Sequence, residues 1–141
     1  MSGETKSKGR KDPLDKFYTS AETVEYCLRQ LDLSIYDCII EPSAGNGAFL
    51  KELQAQNNNV YGYDIKPEAE GIVNADWFTL DKTIFKEYKN ILVCGNPPFG
   101  QQNTLAIKFF NEASTFCNAI AFILPPTFRK QSIQSKLNPY F

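Results

Sequence analysis

The stretch Cys38-Ile39-Ile40-Glu41-Pro42-Ser43-Ala44-Gly45-Asn46-Gly47, followed by Ala48-Phe49-Leu50, decides the fold. Cys38 to Ile40 form an apolar run without polar alternation, the pattern of a strand buried on both faces, and Glu41-Pro42 ends it. Gly45 and Gly47 turn the chain, and Ala48, Phe49, Leu50 and Leu53 open a helix. Strand, glycine turn and helix in this order begin an open parallel sheet, in which ligands sit at the carboxyl ends of the strands.

The same grammar continues outward. Val60 to Tyr63 read as a second strand ending at Asp64, and an apparent strand precedes Asp76-Trp77. Ile91 to Cys94 run into Gly95-Asn96-Pro97-Pro98-Phe99, and Ala119 to Leu124 form the longest apolar strand, stopped by Pro125-Pro126. Upstream, Thr19-Ser20-Ala21-Glu22 reads as a capping box with the threonine as cap. Val24, Cys27, Leu28 and Leu31 then make one helical stripe. Ile84, Phe85 and Tyr88 predict a short helix capped by Asp81, and Leu105, Phe109, Ala113 and Phe116 share another helical face. The expected fold class is α/β, a Rossmann-like three-layer sandwich with a mainly parallel, doubly wound sheet of about five strands.

Composition narrows the chemistry. A chain of 141 residues with 43% hydrophobic and 22% charged residues has the make-up of one ordinary globular domain, not of a disordered or fibrous chain. No apolar run reaches the length of a membrane span, and Met1 to Lys6 lack the apolar stretch of a signal peptide, so no membrane association is expected. Cys27, Cys38, Cys94 and Cys117 are isolated in apolar surroundings and read as four buried, reduced thiols. With no CxxC pair and no histidine, no Cys/His metal site is expected, and Ser-His-Asp and Cys-His catalysis are excluded. Residues 1–12 carry four basic and two acidic groups and read as a flexible polar arm. Residues 13–89 carry seven basic and thirteen acidic groups; residues 90–141 carry four basic groups and one acid. That asymmetry suits a cationic cofactor on one side and a polyanion on the other.

Three constellations carry chemistry. At the glycine turn, Glu41 would repel a pyrophosphate and favour a cationic sulfonium or ammonium ligand, and Leu50 stands where a dinucleotide fingerprint has its third glycine. Asp64, 17 residues beyond Gly47, ends a strand where an acid accepts hydrogen bonds from ribose hydroxyls. Asp76, with Trp77 and Phe78, is placed to meet an adenine amino group and flank its ring. The sharpest signal is Asn96-Pro97-Pro98-Phe99, because two prolines make a rigid platform at the end of a buried strand. The asparagine oxygen and a proline carbonyl can both accept hydrogen bonds from one NH2 group, and Phe99 offers a face to a planar ring. Such acceptors aim the nitrogen lone pair at an electrophilic methyl group, and no strong general base is needed.

On these residues the chain resembles a class I S-adenosylmethionine-dependent methyltransferase, especially the DNA N6-adenine enzymes, over about Asp15 to Leu137. Asp15 to Thr19 is similar to the family's N-terminal cofactor motif, Glu41 to Gly47 to its glycine loop, and Asn96 to Phe99 to its catalytic motif. The resemblance implies S-adenosylmethionine as cofactor, held by Phe17, Tyr18, Thr19, Glu41, Pro42, Ala44, Gly45, Gly47, Asp64, Ile65, Asp76, Trp77 and Asn96. It implies Asn96, Pro97, Pro98 and Phe99 as the catalytic set, DNA as the favoured nucleic-acid partner, and a cytoplasmic location in a bacterium or in the host cell of a phage or virus. Gln101, Gln102, Arg129 and Lys130 are candidates to contact a displaced strand. The family's sheet continues into a helix and a closing antiparallel hairpin. Here the chain stops at Phe141, just after Arg129 to Leu137 begin such a helix. Residues 13–141 are therefore expected to be a C-terminally truncated catalytic core, or one completed by a partner chain. Protein glutamine and RNA adenine are the alternative targets, a catalytically incomplete cofactor-binding subunit is a third possibility, and a nicotinamide oxidoreductase is disfavoured by Glu41.

Overall fold

Five apolar segments form one sheet in which every neighbouring pair is parallel: β1 (Cys38–Glu41), β2 (Val60–Asp64), β3 (Ile72–Asn74), β4 (Ile91–Gly95) and β5 (Ala119–Phe122). The computed structural model describes residues 19–141. The arm expected over residues 1–12, and Phe17 and Tyr18, lie outside the described residues. The strand order is β3-β2-β1-β4-β5, so the chain winds outward from β1, returns, and continues on its other side. This is the doubly wound, Rossmann-like order, and its switch point lies between β1 and β4.

Among the described residues, four α-helices accompany the sheet: α1 (Ala21–Arg29), α2 (Ala48–Gln54), α3 (Thr104–Ser114) and the short α4 (Gln131–Gln134). The apolar runs lack alternation because both faces are covered. Ile39, Leu92 and Cys94 pack with Val24 and Leu28 of α1 and Phe49 and Leu53 of α2. Their neighbours Cys38, Ile40, Ile91 and Val93 face the opposite layer, with Tyr63, Trp77, Phe85, Phe109 and Ala113. Full burial of each such aliphatic side chain contributes about 1.5–3 kcal/mol, so the two layers around β1 and β4 anchor the molecule.

The structure corrects several local expectations. Ser20, not Thr19, caps α1, accepting from the Thr23 amide at 3.2 Å, which releases the Thr19 hydroxyl for a longer-range contact. The helix expected around Ile84 is a single 3₁₀ turn, Lys82–Phe85, although Asp81 does cap it. β5 ends at Phe122 and not Leu124 because β4 ends at Gly95, the register partner of Phe122. The helix expected from Arg129 to Leu137 shrinks to Gln131–Gln134 behind a 3₁₀ turn at Pro126–Arg129. Cys38 and Cys94 are buried, but Cys27, on α1, and Cys117, in the loop before β5, are half-buried. Burial pushes the Cys38 and Cys117 thiols up to about 12, which keeps them protonated and poorly nucleophilic. Among the described residues, no helix is long and apolar enough to cross a membrane.

Candidate functional site

A cavity of about 360 Å³ opens at the carboxyl ends of β1, β2 and β4. Its floor is the glycine turn. Gly45 takes the left-handed conformation, φ +57°, and its amide donates to Asp64 Oδ2 at 2.8 Å, while the Lys66 amide donates to Asp64 Oδ1 at 2.8 Å. The Ala44 amide reaches the Tyr63 carbonyl at 2.8 Å. Thus the loop after β1 is clipped to the end of β2 by a buried carboxylate, 3% exposed, and the two candidate segments form one unit.

Glu41 is the last residue of β1 and is 2% exposed. Its carboxylate lies across the backbone of Gly95 at the end of β4. A Cβ on Gly95 would stand 2.8 Å from Glu41 Cγ and 2.9 Å from Oε2, and Gly95 has φ +138°, so glycine is required there on two counts. Glu41 Oε1 is buried without a hydrogen-bond partner among the described residues. Removal from water, and secondly the charge of Asp64, hold the carboxyl well above the usual glutamate range.

The Asn96-Pro97-Pro98-Phe99 platform leaves β4 beside Glu41. The Asn96 amide nitrogen donates to Thr19 Oγ1 at 3.1 Å, and the Ser43 hydroxyl reaches the Asn96 carbonyl at 3.4 Å. Asn96 and Pro98 line the cavity; Pro97 is buried and is not part of its lining. Phe99 is half-buried against Ala106, Ile107 and Phe128 and is not part of the lining, and its carbonyl accepts from the Leu105 and Ala106 amides at the start of α3. Gln101 and Gln102 are exposed on the following turn, where Gln102 has φ +55° and the next residue, Asn103, φ +63°. Arg129 and Lys130 are exposed on the turn before α4.

Asp76 is exposed and folds its own loop, accepting the Phe78 amide at 2.9 Å. Trp77 lines the cavity but is 1% exposed and packs on Phe116, with ring centroids 5.8 Å apart. Lys82 fastens this wall: its ammonium lies 4.6 Å from the Trp77 ring centroid, bonds the Trp77 carbonyl, and meets Glu112 of α3 at 2.6 Å.

The cavity therefore gathers Thr19, Glu41, Pro42, Ala44, Gly45, Asp64, Ile65, Asp76, Trp77, Asn96 and Pro98 of the expected residues. Gly47 lies outside it and shapes the loop, its α-hydrogen side turned to Ala69 and Ile72. Ser43, Phe78, Leu105 and Phe109 are among the further residues of the wall. Leu105 and Phe109 escaped notice as site residues because a helical stripe looks the same whether it faces a core or a cavity. Three carboxylates, from Glu41, Asp64 and Asp76, line the cavity, and no lysine or arginine does among the described residues.

No protein-family model matches the chain, and no curated protein matches it significantly. The chemistry of the cavity is accordingly the basis for assigning a function.

Proposed function

We propose that this chain is the S-adenosylmethionine-binding core of an N-methyltransferase acting on the exocyclic N6 amine of adenine in DNA. The single observation that carries the proposal is the wall of a cavity that is acidic, without lysine or arginine among the described residues, and that also presents Asn96 and Pro98. A cationic cofactor fits that wall, because it supplies the positive charge that the buried Glu41 lacks. A dinucleotide fits poorly: the Gly45 amide, which would meet a pyrophosphate, is already donated to Asp64, and two carboxylates stand beside it.

Within this assignment Asp64 receives the ribose hydroxyls beside the two amides it already accepts. Ile65 and Phe78 line the cavity and are 53% and 37% exposed, so they offer two apolar faces to an adenine ring beside Asp76. The cofactor supplies an electrophilic methyl group. Asn96 and the Pro97 carbonyl accept hydrogen bonds from the target amine, and Phe99, which like Pro97 is not part of the cofactor cavity's lining, is the residue assigned to the target base. A duplex adenine has to leave its stack to reach them, at a cost of a few kcal/mol.

Calorimetry with S-adenosylhomocysteine and with NAD tests the cofactor assignment. Binding of the former alone is expected; binding of NAD alone would assign the cavity to a nicotinamide cofactor.

A further inference from the structure

Glu41 poses a problem that a cofactor site as such does not explain. Its carboxyl is buried at the base of the cavity, one oxygen pressed over Gly95 and the other without a hydrogen-bond partner among the described residues. Buried polar atoms of folded proteins are nearly always partnered, and an unpartnered one needs a reason. A lone buried carboxylate is costly enough that it takes up a proton instead. The titratable groups that act on it come from both flanking strands. Asp64 at the end of β2 adds like charge. Cys94 of β4 has a thiol that burial holds protonated. On the far wall stands Asp76, and no lysine or arginine among the described residues lines the cavity to hold Glu41 ionised.

We propose that Glu41 is a proton switch for the cofactor: neutral in the ligand-free cavity, it loses its proton to solvent when a cationic centre of the bound cofactor, sulfonium or α-ammonium, comes to lie beside it. This rests on the assignment of the cavity to S-adenosylmethionine. The direction in which burial and Asp64 move the carboxyl agrees with it. Since the bound state needs ionised Glu41, apparent affinity rises about tenfold per pH unit until the ligand-free carboxyl ionises by itself, and is flat above that pH. The cavity thereby discriminates by charge: a neutral nucleoside of the same shape gains nothing from the switch.

The test combines two measurements on the full chain. Infrared difference spectroscopy of the ligand-free protein near neutral pH is expected to show a buried neutral carboxylic acid that Glu41→Gln removes. Calorimetry in buffers of differing ionisation enthalpy is expected to show about one proton released per S-adenosylmethionine bound, and none for 5′-methylthioadenosine. Release with S-adenosylhomocysteine as well assigns the α-ammonium as the partner; no release with it assigns the sulfonium. In Glu41→Gln the proton release and the pH slope vanish. Should that variant fail to fold, the wild-type acid band and proton count decide alone. S-adenosylmethionine binding with no proton released, or with the acid band unchanged, would overturn the switch and leave the cofactor assignment standing. No binding of S-adenosylmethionine would remove both.

Discussion

The side-chain amide of Asn96 is tied by its nitrogen to the hydroxyl of Thr19, 3.1 Å away and 77 residues earlier in the chain. A carboxamide donating through its nitrogen on one side turns its oxygen to the other, so Thr19 sets which way Asn96 presents its acceptor. The segment before α1 and the platform after β4 thus meet at the residue on which the proposed chemistry depends.

Thr19→Val removes that acceptor at nearly constant volume. Loss of one neutral hydrogen bond, about 1 kcal/mol, is expected to lower kcat for methyl transfer about fivefold. Thr19→Ser keeps the hydroxyl and is expected to restore the rate. Steady-state kinetics of the two variants check this; equal rates in Thr19→Val and wild type would show that Asn96 does not depend on Thr19.

Asp64 has two tasks, accepting the Gly45 and Lys66 amides and facing the cavity. Asp64→Ala is expected to weaken S-adenosylhomocysteine binding by about 1–3 kcal/mol, since buried hydroxyls lose a charged partner. Because the loop clip goes with it, the melting temperature is expected to fall too. Titration calorimetry beside thermal melting separates the two losses, and unchanged affinity would refute the ribose role.

Gly95→Ala places a Cβ 2.8 Å from Glu41 Cγ in a backbone conformation with φ +138°. A destabilisation of about 1–3 kcal/mol is expected. Shortening the neighbour in Gly95→Ala/Glu41→Ala relieves the steric part alone, so a double-mutant cycle is expected to show a coupling of at least about 0.5 kcal/mol. Additive losses in denaturant unfolding would mean that the two residues do not touch.

Glu41 also makes a pH prediction for the ligand-free protein. Its carboxyl in the folded state is held above the ordinary glutamate value of 4.5, so the folded state binds the proton more tightly than the unfolded state. That contribution is fully present below pH 4.5 and is lost as pH rises through the folded-state value. Glu41→Gln removes it. Relative to wild type, the variant is therefore expected to gain stability as pH rises from 4.5, measured by thermal melting across a pH series. Parallel melting curves at all pH values would show that Glu41 ionises as readily in the folded as in the unfolded chain.

The sheet was legible because both faces of β1 and β4 are covered, which turns strands such as Ile91–Gly95 into unbroken apolar runs. The ends were less so. Thr19 and Ser20 are both good caps, and the sequence alone does not show that Ser20 takes the cap while Thr19 meets Asn96. β5 stops where its partner strand stops, a fact that Leu124 and Pro125 do not encode. In the site, Glu41, Asp64, Asp76 and Asn96 were legible because polar residues at strand ends or in the loops beyond them stand out. Gly95 reads as an ordinary glycine until the Glu41 side chain is seen over it, and the packing of Phe99 with Phe128, beside an α3 start whose amides bond its carbonyl, is a tertiary contact that the motif does not encode.

The most direct measurement is methyl transfer from labelled S-adenosylmethionine to an adenine-containing DNA duplex, with nucleoside analysis of the product and S-adenosylhomocysteine affinity measured in parallel. Wild type is expected to yield N6-methyladenine. Asn96→Ala is expected to yield none while retaining cofactor affinity within about threefold, under roughly 0.7 kcal/mol. A wild-type protein that binds the cofactor but leaves adenine unmodified, or an Asn96→Ala variant that methylates at the wild-type rate, would contradict the account.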